Sequence, residues 1–173
     1  MKTLIYILLI SLSYSCWAQK PLKVGRYELD GKTFVVKKFN NGVRTRLSIF
    51  VGTEVEPQNK SYPPPKNKYA SPPVKRDIHF DTALVKEIVL KTLGKKRARF
   101  KEKKAFLSLS LTFKKDGKLE DAFYALYNDF NVTLEEIADI DKKLKAGAIK
   151  ATFTGIEYLD YQFIHYNGFD VFF

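Results

Sequence analysis

Apolar and polar positions alternate with period two over several stretches of this chain, and follow a helical period over two others. Residues 20–54 hold three short alternating runs. Tyr27 and Leu29 interleave with Arg26 and Glu28, Thr33 to Phe39 is rich in Val and Phe, and Val43 to Val51 puts Leu47, Ile49 and Val51 on one face. Asp30-Gly31 and Asn40-Asn41-Gly42 separate the runs, and glycine takes the positive φ of a tight turn without a steric cost. The pattern predicts a small β-meander whose apolar face must be covered by something else.

Residues 78–173 carry a second, longer pattern. Asp81 is placed to cap a helix running to Leu93, with Leu84, Val85, Ile88, Val89 and Thr92 on one stripe and Gly94 ending it. Leu107, Leu109, Leu111 and Phe113 then alternate with Ser108, Ser110 and Thr112 as in a half-buried strand, and Lys115-Asp116-Gly117-Lys118 turns into Leu119 to Tyr127. Thr133-Leu134-Glu135-Glu136 is a capping box: the Thr hydroxyl takes an orphan amide and Glu136 reaches back. The helix it opens turns Leu134, Ile137, Ile140 and Leu144 inward and ends before Gly147. Ile149 to Phe153 and Tyr158 to Tyr166 read as strand, and Asn167-Gly168 reads as a hairpin turn into Phe169 to Phe173. The order is α-β-β-α-β with a terminal β-ribbon, an α+β class with two helices on an antiparallel sheet.

Between the two patterns, residues 55–77 hold Pro57, Pro63, Pro64, Pro65, Pro72 and Pro73 among Lys, Asn, Ser and Tyr. Proline fixes φ and lacks an amide donor, so this segment reads as an extended linker; recognition by a polyproline reader is the sharper alternative. The order α-β-β-α-β over residues 81–173, the Asp116-Gly117-Lys118 turn, the Leu134-Glu135-Glu136 helix and the preceding Pro/Lys linker together resemble the C-terminal domain of the TonB family. That resemblance implies a fold whose edge strand pairs with a short segment of an outer-membrane transporter. The carry-over is the fold and recognition by strand addition. The family's motor link is not carried over, because the N-terminus reads as cleavable and the linker as too short to cross a periplasm.

The first eighteen residues have their own pattern. Lys2 precedes the apolar run Leu4 to Leu12, and Cys16-Trp17-Ala18 precedes Gln19. A positive start, a short apolar middle and a small-residue exit are the order of an export signal, and the run is about half the ~20 residues that span a bilayer. Cleavage after Ala18 is the favoured outcome; lipidation of Cys16, giving an outer-membrane lipoprotein, is the alternative. The chain therefore divides into a signal peptide (1–18), a β-meander (19–54), a linker (55–77) and an α+β unit (78–173). Cys16 is the only cysteine, so an exported fold has no disulfide and relies on its core.

Composition sharpens this picture in two ways. The chain has 173 residues and is 45% hydrophobic, which excludes disorder throughout. Its formal net charge is +11, a nucleic-acid signal in a cytosolic protein. Export turns the expected anions into lipid phosphates, lipopolysaccharide and acidic glycans. Lys95, Lys96, Arg97, Arg99, Lys101, Lys103 and Lys104 fall within ten positions, opposed by Glu102 alone, and are the candidate anion-binding residues. Phe100 among them reads as able to insert between lipid headgroups or to pack, and Arg44 and Arg46 extend the patch if the two modules dock.

Catalytic chemistry is thinly represented. His79 and His165 are the only histidines, and neither has a Gly-flanked serine nearby in sequence or a second ligand at helical spacing. His165 reads as a half-buried strand histidine beside Tyr161 and Phe163. Glu135, Glu136, Asp139 and Asp141 read as a solvated helix face rather than a metal site. Tyr158, Tyr161, Phe163, Tyr166, Phe169, Phe172 and Phe173 read as core and cross-strand pairs, with an exposed aromatic platform as the alternative. The expectation is an exported, non-enzymatic binding protein of the envelope without cofactor or metal, acting through a sheet edge or the basic run. Its partner is an envelope protein or an anionic glycan or lipid surface, with peripheral or lipid-anchored membrane association. A hydrolase with a site invisible in sequence, and an adaptor for anionic envelope components, are the alternatives.

Overall fold

The computed structural model describes residues 21–40, 42, 44–52, 63–67, 71, 73–155 and 157–173. The export segment with Cys16, part of the Asn40-Asn41-Gly42 turn and most of the proline-rich linker lie outside these residues.

The meander forms as its alternation requires. β1 (Gly25–Leu29) returns into β2 (Lys32–Asn40) through Asp30 and Gly31, whose φ angles of 51° and 71° are the pair of left-handed values that an Asp-Gly hairpin turn uses. β3 (Thr45–Val51) pairs antiparallel with β2, and its carbonyl-to-amide ladder continues on the other side into β6 (Leu119–Tyr127). That junction pairs Arg46 with Tyr127, Leu47 with Leu126, Ser48 with Ala125 and Ile49 with Tyr124. The sequence left open whether the two modules dock; they share one antiparallel sheet of order β1-β2-β3-β6-β5-β8, where β5 is Phe106–Lys114 and β8 is Phe163–Phe172. A second, two-stranded sheet pairs β4 (Ile78–Phe80) with β7 (Ala151–Phe153).

Three helices accompany the large sheet: α1 (Thr82–Thr92), α2 (Arg97–Glu102) and α3 (Leu134–Lys145). Asp81 caps α1, accepting from the Leu84 amide at 2.8 Å. The Thr133 capping box is formed in full: the Glu136 amide donates to Thr133 Oγ1 at 3.3 Å and the Thr133 amide donates to Glu136 Oε2 at 2.8 Å. One face of the sheet, carrying Phe34, Ile49, Leu107, Leu109, Leu111 and Tyr124, is fully buried with Val85 and Val89 of α1 and Ile137, Ile140 and Leu144 of α3. Full burial of one such side chain contributes about 1.5–3 kcal/mol, so this shared core carries the stability. The opposite face holds a smaller cluster, Val35, Phe50, Phe123 and Ala125, with the two Phe rings 5.0 Å apart. The architecture is α+β, as the sequence indicates.

The C-terminal third differs from the expected strands. Ile149 to Phe153 shortens to β7, residues 157–160 form a 3-10 turn, and β8 begins only at Phe163. Asn167-Gly168 does not turn the chain. Leu109 pairs with Phe169 and Leu111 with Tyr166, so two residues of β8 stand opposite Ser110 alone. The same positive φ that suits a hairpin, +69° at Gly168, here accommodates a β-bulge. The terminal ribbon is therefore one bulged edge strand. Gly117, at the β5–β6 turn, combines φ +84° with a close approach: an added Cβ would lie 2.1 Å from the Ala151 carbonyl oxygen, onto which the turn packs.

Candidate functional site

Leu93, the C-cap of α1, is fully buried, and the chain turns through Gly94–Lys96 into α2. Of the seven cations, Arg97, Arg99 and Lys101 thus lie on a short helix, Lys95 and Lys96 in the turn before it, and Lys103 and Lys104 in the turn after it. Phe100 anchors the helix: the ring is fully buried and lies 4.7 Å from the ring of Phe173. Insertion of Phe100 into headgroups is overturned, since its inward position is what fixes α2 to the core.

The seven cations then divide by partner. Lys96 Nζ lies 2.6 Å from Glu136 Oε2. Arg99 donates to both carboxylate oxygens of Asp129, at 2.5 and 3.3 Å, and this hydrogen bond and charge raise the Arg99 pKa further. Lys103 lies 3.3 Å from Glu102. Lys95, Arg97, Lys101 and Lys104 are exposed and have no acidic partner among the described residues. Arg97 and Lys101 stand one helical turn apart, on the same side of α2. Their charge is left to act on solvent and on whatever approaches.

α2 sits at one end of the large sheet, and the strand register shows what else is there. Phe39 pairs with Arg46, Arg46 with Tyr127, Tyr127 with Phe106 and Phe106 with Phe172. These five residues form a single cross-strand row on the face opposite the helices. The Arg46 guanidinium stands 5.1 Å from the Phe39 ring centroid, Phe106 stacks on Tyr127 at 4.4 Å and 6°, and Phe172 lies 5.2 Å from Phe106. Phe172 is 67% exposed and Phe39 40%. Lys104 lies two residues before Phe106, the row's member on β5, and its carbonyl accepts from the side-chain amide of Asn128 at 2.7 Å, just past the row on β6. Docking of the meander brings Arg44 and Arg46 to the same end as the basic helix.

Most of the C-terminal aromatics are packing residues. Tyr166 and Phe169 close on Phe80 at 5.0 and 5.8 Å, and Tyr158 on Phe153 at 5.4 Å. Phe172 alone of that group is an exposed large apolar side chain among the described residues. The β8 edge is partly guarded: Lys75 Nζ donates to the Gly168 carbonyl at 3.2 Å and stands 5.1 Å over the Tyr166 ring.

The histidines lie apart. His79 is exposed, with Nε2 3.3 Å from Thr154 Oγ1. His165 is half-buried on β8, with Nδ1 2.9 Å from Thr112 Oγ1. Asp121 pairs with Thr112 from the other neighbouring strand. The hydroxyl thus stands between acid and imidazole, and it is fully buried, whereas a nucleophile relay needs the imidazole in the middle and the hydroxyl open to substrate.

The acidic helix face is not uniformly solvated. Glu136 serves the capping box and Lys96, and Asp139 accepts from Lys143 at 2.6 Å and Thr92 at 3.2 Å. Asp141 is fully buried, holding Tyr124 Oη at 3.1 Å, Lys32 Nζ at 3.1 Å and Lys145 Nζ at 2.9 Å. Burial first, and then the Asp141 charge, push the Tyr124 hydroxyl well above its usual pKa. A cleft of about 500 Å³ opens beside this network, lined by Leu29, Asp30, Lys32, Phe34, Ala138 and Lys142. Asp141 and Asp30 offset the cations there, so it presents no strong field of one sign. No group of His, Cys, Asp and Glu suited to a metal ion occurs among the described residues.

No family model matches the chain, and no curated protein matches it. Among solved structures, a DUF5043 family protein from Bacteroides uniformis ATCC 8492 is similar, with a TM-score of 0.54 and 16% identity over 90% of this chain and 86% of that one. At this identity the likeness concerns the fold.

Proposed function

We propose that this is an exported, non-enzymatic binding protein of the cell envelope that recognises an anionic envelope component through the basic surface of α2. One observation carries the reading: Arg97 and Lys101 on α2, Lys95 in the turn before it and Lys104 in the turn after it are all exposed without an acidic partner among the described residues, whereas Lys96, Arg99 and Lys103 have their own acids. Charges packed this closely without partners repel one another, and an anionic ligand relieves that repulsion. The N-terminal pattern of Lys2, the apolar run and Cys16-Trp17-Ala18 supports export, and no helix among the described residues is long and apolar enough to cross a membrane.

Fractionation of a Gram-negative host expressing the full chain tests this. The expected result is an envelope-associated protein released by raised salt, with retention lost when Lys95, Arg97, Lys101 and Lys104 are changed to Gln. A cytoplasmic protein, or envelope retention indifferent to both salt and those substitutions, would overturn it. Recognition by strand addition has narrower support. β8 pairs only with β5 among the described residues, but its bulge and Lys75 break the regular edge that an incoming strand needs.

A further inference from the structure

The terminal row of the sheet and α2 meet at one end of the molecule, and the combination is more specific than charge alone. With strands about 4.8 Å apart, the row Phe39–Arg46–Tyr127–Phe106–Phe172 runs about 19 Å across five strands. Its two outer members are its most exposed aromatics, and both are Phe, without the polar tip that Tyr or Trp offers water. Phe172 is the last residue of β8 and Phe106 the first of β5, so the row borders the outer rim of the fold rather than the middle of a face. Lys104 lies two residues before Phe106 at that rim, and Arg97 and Lys101 stand one turn apart on α2, whose Phe100 packs on Phe173, the residue after Phe172. The nearest exposed acid on the same strand is Asp170, two residues before Phe172.

We infer that this end of the molecule docks on an anionic phospholipid surface, with Phe172 entering the headgroup layer and Arg97, Lys101 and Lys104 meeting lipid phosphates. The inference rests on the basic-surface reading above and names its partner. Two features favour a lipid surface over a polymer. An apolar side chain held at the edge of a cationic rim matches an interface that is anionic outside and apolar a few ångströms in. The row holds three Phe rings, the Arg46 guanidinium and the Tyr127 hydroxyl as its one side-chain acceptor, with no carboxylate or amide, whereas recognition of sugar hydroxyls needs several acceptors as well as donors.

Co-flotation of the full-length chain with phosphatidylcholine vesicles, with and without phosphatidylglycerol, tests the inference. Residues 1–20 are common to every variant, and any contribution from them is read on pure phosphatidylcholine. Phosphatidylglycerol is expected to raise binding of the wild type. The triple variant Arg97→Gln, Lys101→Gln, Lys104→Gln should lose about fivefold per cation, roughly a hundredfold in all. Phe172→Ser, with all cations present, should lose about tenfold. Thermal melting of both variants checks that they fold, which the exposure of all four positions favours. If Phe172→Ser binds as the wild type does while the triple variant fails, and a polyuronate or single-stranded DNA binds in a Phe172-independent way, a polyanion is the partner: the lipid inference falls and the basic-surface reading stands. If the triple variant binds every probe as the wild type does, both fall.

Discussion

Two phenylalanines near opposite ends of one short contact chain define what α2 can do. Phe100 turns inward onto Phe173, and its neighbour in that stack along β8, Phe172, turns outward. The sequence offers Phe100 as the apolar residue among the cations; tertiary packing buries it and leaves Phe172, seventy-odd positions away, exposed. Asp141 is a different case, because its position was legible. It follows Ile137 by four and precedes Leu144 by three, which puts it on the inward stripe of α3. Grouping it with Glu135, Glu136 and Asp139 by residue type hid that. His165 supports a residue-scale prediction. Burial lowers its pKa from 6.5, against a weaker upward pull from Asp121. In the window below pH 6.5 and above the lowered folded value, the unfolded chain binds the proton more readily than the folded one, so stability falls as pH falls through it. Above that window the residue has no such effect. Denaturant midpoints measured across pH should show this slope, and His165→Gln should flatten it; an unchanged slope would reject the assignment.

At the scale of elements, what could be read locally was read. The Asp81 cap, the Thr133 box and the turns at Asp30-Gly31 and Asp116-Gly117 are set within four residues, and each forms as its sequence requires. Elements decided by distant partners were not legible. α2 is a helix because Phe100 finds Phe173, Arg99 finds Asp129 and Lys96 finds Glu136. Asn167-Gly168 is a bulge because β5 has one residue where β8 has two, and nothing within the dipeptide distinguishes that from a hairpin. The Thr133 box gives the corresponding prediction. Thr133→Ala removes the acceptor for the Glu136 amide and should lower stability by about 1 kcal/mol. Chemical denaturation reads the change directly, and a midpoint equal to wild type would show that the box contributes nothing.

At the scale of the whole molecule, the large sheet is one object divided between two stretches of sequence. The α+β class was legible from periodicity, but the seam between β3 and β6 was not, since antiparallel pairing between distant strands leaves no local mark. The seam matters energetically. Leu47 and Ile49 enter the same core as Leu107, Leu109 and Tyr124, and α3 rests near the β1–β2 hairpin through the Lys32–Asp141 contact. Residues 78–173 expressed alone should therefore show no cooperative urea transition, having lost part of their core and exposed the β6 edge, while the full chain unfolds in one step. A steep transition from that fragment would instead identify it as an independent unit.

The same seam sets an order of events in time. A chain emerging residue by residue completes β1, β2 and β3 long before β6 exists, and until then Leu47 and Ile49 face water with nothing to bury them. Closing so distant a contact is slow, because the loop entropy is lost before any burial rewards it. Folding of this protein thus waits on its later half, and the early hairpins spend that interval as an open, apolar sheet edge in search of a partner.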